Sequence, residues 1–113
     1  MGGYRLTVRH GSSVEQERFD ELDDAMAAVE QRVREIRSEG PLRELNALRD
    51  YEPGQRVHAR LELSTGGLFR GHEAGIDVMG DGKLVPYTGV IRKERLEPQD
   101  GETEFDVVRR ALR

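Results

Sequence analysis

The sequence has no cysteine and no tryptophan. Without cysteine there is no disulfide framework, no thiolate metal site and no thiol nucleophile. An excess of positive charge is missing as well. Eighteen Lys and Arg stand against twenty-two Asp and Glu, a formal net charge of −4, whereas a non-specific nucleic-acid binder advertises a basic surplus. Lysine is scarce, two residues against sixteen arginines, so most of the cationic side chains are planar guanidinium donors. There is no apolar run of membrane-spanning length and no signal-peptide apolar region near the N-terminus, so a cytoplasmic, bacterial-type protein is expected. A Gly-rich phosphate loop after a strand, a nucleophile elbow and a paired-carboxylate signature are all lacking. No catalytic residue, no cofactor and no resident metal is expected on these grounds.

What is present is periodic. Hydrophobic and charged residues each make up 35% of the 113 residues, which predicts a thin core under a well-solvated surface, yet the pattern is too regular for a disordered chain. The segment Asp20 to Gly40 carries Leu22, Ala25, Met26, Val29, Val33 and Ile36 at spacings of three or four, one stripe of an amphipathic helix. Asp20 is expected to cap its start, with Glu21, Asp23 and Asp24 in the first turn. Arg34 and Arg37 stand near its end, followed by Gly40 as a left-handed cap and Pro41 as a stop. Such a stripe requires a sheet or a second helix to cover it.

Around that helix the chain reads as short elements. Tyr4 to His10 alternates as a half-buried strand, Gly11 to Ser13 turns, and Val14 to Phe19 forms a second, more polar strand whose Phe19 pins the helix to the sheet. Pro41 to Asp50 reads as a short helix with Leu42, Leu45 and Leu48 on one side, and Tyr51 to Gly54 as a turn. From Gln55 to Leu63 the residues Val57, Ala59, Leu61 and Leu63 point one way, and His58, Arg60 and Glu62 the other. Leu68 to Arg70 begins a strand that Gly71 to Gly75 interrupts and Ile76 to Met79 resumes. Gly80-Asp81-Gly82 is a hairpin turn; the stretch Asp77 to Gly82 faintly resembles a calcium loop, but Met79 falls at a ligand position and Thr88 where the bidentate acid belongs, which favours the plain turn. Lys83 to Tyr87 and Val90 to Leu96 complete a meander. Thr103 to Leu112 is a last helix, opened by Thr103 and Asp106 as a capping box with a short acid.

The fold class is therefore α+β: an N-terminal β-hairpin and long amphipathic helix, then an antiparallel meander and a C-terminal helix, in one small domain over 1–113 with sub-units at 1–50 and 51–113. Either one antiparallel sheet carries the helices on a single face, or the meander curls into a small barrel. The run from Pro53 to Val57, with the short strands and Gly-rich turns after it, resembles an SH3-like barrel. The hairpin followed by Phe19-Asp20-Glu21-Leu22-Asp23-Asp24-Ala25 resembles the strand-to-helix step of the arm-binding modules of phage-type integrases. The α-β-β-β-α order from Leu42 onward is similar to that of a double-stranded-RNA-binding domain. These are likenesses of topology, and no ligand or site residue follows from them.

Two groups of side chains carry candidate chemistry. His58, Glu62, His72, Glu73 and Asp77 are the collection from which a metal or acid/base site could be drawn, although no spacing among them matches a known metal pattern. Arg70, His72, Lys83, Arg92, Lys93 and Arg95 fall in the meander and could share a face that holds an anion or a nucleic-acid backbone. The leading expectation is a small non-enzymatic protein-interaction module, acting on a protein partner or as a homodimer through an exposed strand or the Leu42-Leu45-Leu48 stripe. The alternatives are a nucleic-acid-binding accessory protein using those Arg and Lys residues, and a small-ligand binder or enzyme using His58, His72 and Asp77.

Overall fold

A computed structural model describes residues 3–39, 57–65, 72–89 and 94–112. The chain opens with a hairpin of β1 (Tyr4–His10) and β2 (Ser13–Phe19). Its two-residue loop is Gly11-Ser12: Gly11 has φ 63 and no non-glycine has positive φ among the described residues. One left-handed residue in the first loop position is the signature of a type II′ turn, whose twist matches that of the flanking strands.

β1 does not remain at an edge. It also pairs antiparallel with β3 (Val57–Thr65), which pairs with β4 (His72–Met79), then β5 (Leu84–Thr88) and the two-residue β6 (Glu94–Arg95). The result is one six-stranded antiparallel sheet in the order β2-β1-β3-β4-β5-β6. Of the two arrangements the sequence allowed, the single sheet with helices on one face is the one observed. β3 spends its other edge on β1, so the meander continues the hairpin's sheet and does not curl into a separate barrel.

Two helices, α1 (Leu22–Arg37) and α2 (Glu104–Leu112), cover the same face of the sheet. The stripe of α1 lies where the periodicity puts it. Ala25, Met26, Val29, Val33 and Ile36 are buried against Leu6, Val8, Ala59, Leu61, Leu63, Ala74, Ile76 and Val78 of the sheet. Val108 and Leu112 of α2 join the same cluster, with Phe19, Leu22 and Phe105 packed at its margin. Each large side chain buried in this way contributes about 1.5–3 kcal/mol before the entropy of ordering it is counted. Glu15 of β2 and Glu35 of α1 share Arg32, at 2.5 and 3.2 Å, which ties helix to hairpin. Asp23 of α1 pairs with Arg109 of α2.

Several local expectations are revised. α1 begins at Leu22 with Glu21 in the cap position and no side-chain capping bond, so Asp20 does not cap it. β4 runs unbroken from His72 to Met79, so residues 72–75 do not interrupt a strand as expected from their glycine and polar content. Val57, assigned to the apolar row of β3, is 42% exposed; of the last strand, expected over Val90 to Leu96, Glu94–Arg95 is strand and Leu96 is not, while 90–93 lie outside the described residues. The capping box of α2 is as read: the Thr103 amide donates to Asp106 Oδ2 at 2.9 Å and the Asp106 amide donates to Thr103 Oγ1 at 3.1 Å. The Gly80–Gly82 turn is a plain hairpin loop, closed by the Gly82 amide on the Met79 carbonyl at 2.9 Å. The cap at Gly40 and Pro41, the short helix at 41–50 and the strand start at 68–70 lie outside the described residues. No helix among the described residues is long and apolar enough to cross a membrane.

Candidate functional site

Three elements end together at one corner of the sheet. β1 terminates at His10, whose position in the alternation puts it on the helix-covered face with Leu6 and Val8. α1 terminates nearby, and Glu39 follows it in a turn. β3 begins there with an irregularity: Val57 pairs with Met79 and Ala59 with Val78, so β3 spends one residue more than β4 over this step. The extra residue is His58. Strict alternation would send His58 to the face of Arg60, but a bulge re-aims a side chain and bends its strand. His58 instead reaches His10, with Nε2 to Nε2 at 3.1 Å and the two rings edge-to-face at a centroid distance of 4.7 Å. Glu39 Oε1 lies 3.2 Å from His10 Nε2 and 3.9 Å from His58 Nε2. Both imidazoles are about one-fifth exposed, 22% and 20%, so solvent reaches the cluster without flooding it. An open depression lined by Gly11, Ser12, Val57 and Ala59 borders it.

The sheet face turned away from the helices carries a second polar group. Arg60 of β3 holds Asp77 of β4 in a bidentate pair, Nε to Oδ1 at 2.6 Å and a terminal nitrogen to Oδ2 at 2.9 Å. The two residues are direct cross-strand partners, so the strand register itself presents the fork to the carboxylate. The Arg60 guanidinium also lies 5.2 Å from the ring centroid of Tyr87. The hydrogen bond that Arg60 donates to Asp77 raises the Arg60 pKa beyond its already high value. Burial, assisted by the Glu62 charge, pushes the Tyr87 phenol well above its usual range. The charge pair lies over the buried Tyr87 ring, and it fixes register more than it offers a reactive group.

Among the described residues, those singled out in the sequence fall in separate places. His58, His72 and Asp77 occupy three places: His58 in the corner cluster, Asp77 on Arg60, and His72 exposed at the far end of β4 opposite Thr65. Glu62 sits 3.8 Å from Arg9, and the Glu73 carbonyl accepts a hydrogen bond from Thr88 Oγ1 at 3.0 Å. Among the basic positions, Lys83 and His72 stand exposed at opposite ends of the β4–β5 hairpin, and Arg95 lies opposite Tyr87 on β6. Arg70, Arg92 and Lys93 lie outside the described residues. His10 and Glu39 were missed. The legible signal was that each of the three histidines sits within one residue of a strand end, His10 at the close of β1 and His58 near the start of β3. That β1 and β3 pair at those ends follows from the sheet order alone.

The remaining feature is the outer edge of β2. Among the described residues β2 pairs on one side only, with β1, and every residue from Ser13 to Arg18 is exposed. A two-residue loop makes His10 and Ser13 the first hydrogen-bonded pair. By the alternation of an antiparallel ladder, the backbone groups of Val14, Gln16 and Arg18 then point outward. Comparison with protein-family models, with curated proteins and with solved structures returned no match.

Proposed function

We propose that this protein is a non-enzymatic interaction module that takes an extended segment of a protein partner onto the free edge of β2. The observation that supports the reading is that edge: seven residues long, paired on one side among the described residues, with outward backbone donors and acceptors at alternate positions. Strand addition of this kind draws affinity from main-chain hydrogen bonds and specificity from the alternating side chains. Glu15 and Glu17 share the helix-side face of β2, and Arg32 already holds Glu15. Two copies paired edge to edge about a two-fold axis would bring these carboxylates together, and like charges directly opposite one another are destabilising. A partner segment with basic residues at every second position complements the edge better than a second copy does.

The test is a titration of the isotope-labelled protein with a basic peptide as long as β2, alternating Lys and Thr, beside a Glu/Thr counterpart. Binding of the basic peptide should move, and protect from exchange, the amides of Val14, Gln16 and Arg18. Gln16→Pro removes one outward N–H and leaves the β1 ladder intact, so the fold should persist while binding is lost. Shifts that avoid β2, equal binding by both peptides, or full binding by Gln16→Pro would each discard the reading.

A further inference from the structure

We infer that His10, His58 and Glu39 form a binding site for one divalent transition-metal ion of the zinc class. Three potential ligand atoms from three separate elements converge, all within 4.8 Å of one another. The separations are 3.1, 3.2 and 3.9 Å. An ion with bonds of roughly 2.0–2.1 Å to nitrogen and oxygen, held tetrahedrally, spaces its ligands about 3.3 Å apart. The observed values bracket that spacing. The longest involves Glu39, whose side chain is 54% exposed and free to rotate inward.

The donor set decides the class of ion. Two imidazole nitrogens and one carboxylate oxygen suit Zn²⁺, Co²⁺ or Ni²⁺, whereas Ca²⁺ and Mg²⁺ demand mostly oxygen. Three protein ligands leave a fourth position open, as in sites that admit water or a small ligand, and His10 and His58 line the depression beside Gly11 and Ser12. The site exists only when β1, β3 and the end of α1 are assembled, so an ion bound there stabilises the fold. The proposal stands apart from the β2 edge, which shares none of these three residues.

The experiment is calorimetric titration of the chelator-treated full chain with zinc chloride, and with cobalt chloride followed in the visible region. One ion per chain should bind, tetrahedral cobalt bands should develop, and the melting temperature should rise. His10→Ala, His58→Ala and Glu39→Gln should each weaken binding by more than the roughly 10–100-fold that loss of an outer-shell partner costs. His72→Ala should leave it unchanged. Because a variant could lose its fold, nitrogen spectra of the two imidazoles in the wild-type chain supply a second readout: the Nε2 resonances of His10 and His58 should shift on adding zinc and that of His72 should not. Failure to take up zinc, retention of binding in a folded His58→Ala variant, or a shift confined to His72 overturns the site.

Discussion

Gly75 shows why one hydrogen in place of a side chain can matter. It sits in the middle of β4 directly across from Tyr87, and a Cβ there would lie 2.2 Å from the Leu61 carbonyl oxygen and 2.7 Å from the Tyr87 hydroxyl. The nearer atom is backbone and cannot swing aside. The ring of Tyr87 fills the space that any other residue would claim, and the Arg60–Asp77 pair packs beside it. Gly75→Ala is therefore expected to destabilise by about 1–3 kcal/mol, the usual range for overpacking, read as a lower denaturant midpoint. An unchanged midpoint would mean that β3 and β4 yield at this point. From the sequence, Gly75 read as a place where a strand breaks; in the sheet it is the place where a strand accepts an aromatic ring.

The two helices are held at their starts in different ways, although both begin in acidic residues. α2 has its reciprocal Thr103–Asp106 box, while α1 has no side-chain cap. The two helices also differ in length. α1 has sixteen residues and buries five of them, and α2 has nine and buries three. A short helix loses a larger fraction of its support when a terminal amide goes unsatisfied. Thr103→Ala should cost about 0.5–2 kcal/mol, with exchange of the α2 amides accelerating before those of α1. Equal protection of the two helices in that variant would sink the argument. Among the strands, the bulge at His58 is the informative element: it removes Val57 from the core row, exposes it, and turns a histidine toward β1.

Across the molecule, the β1–β3 seam joins the first and second halves of the chain. Leu6 pairs with Leu63 and Val8 with Leu61 across it, and one apolar cluster includes residues from β1, α1, β3, β4 and α2. That one cluster spans the seam and takes in both helices, so unfolding should be a single cooperative transition. Far-ultraviolet dichroism and tyrosine fluorescence should trace coincident denaturation curves. Separated curves would show the hairpin–α1 part and the β4–β5–α2 part unfolding independently.

Much of the fold was legible locally. The stripe of α1, the alternation of β1 and β2, the turns at Gly11 and Gly82 and the box at Thr103 are written in neighbouring residues, because helix period, strand period and left-handed glycine are short-range properties. The α+β class follows from their order. Sheet order is a long-range property: β1 pairs with β3 across a wide gap in sequence, and no local spacing announces it. The site depends on that order and on one bulge. Period-two reading sends His58 to the wrong face and leaves His10 and Glu39 unremarked, since neither shares a motif with it. Three side chains became neighbours because backbone pairing and burial of the α1 stripe, both set by the whole chain, brought the ends of three elements to one corner.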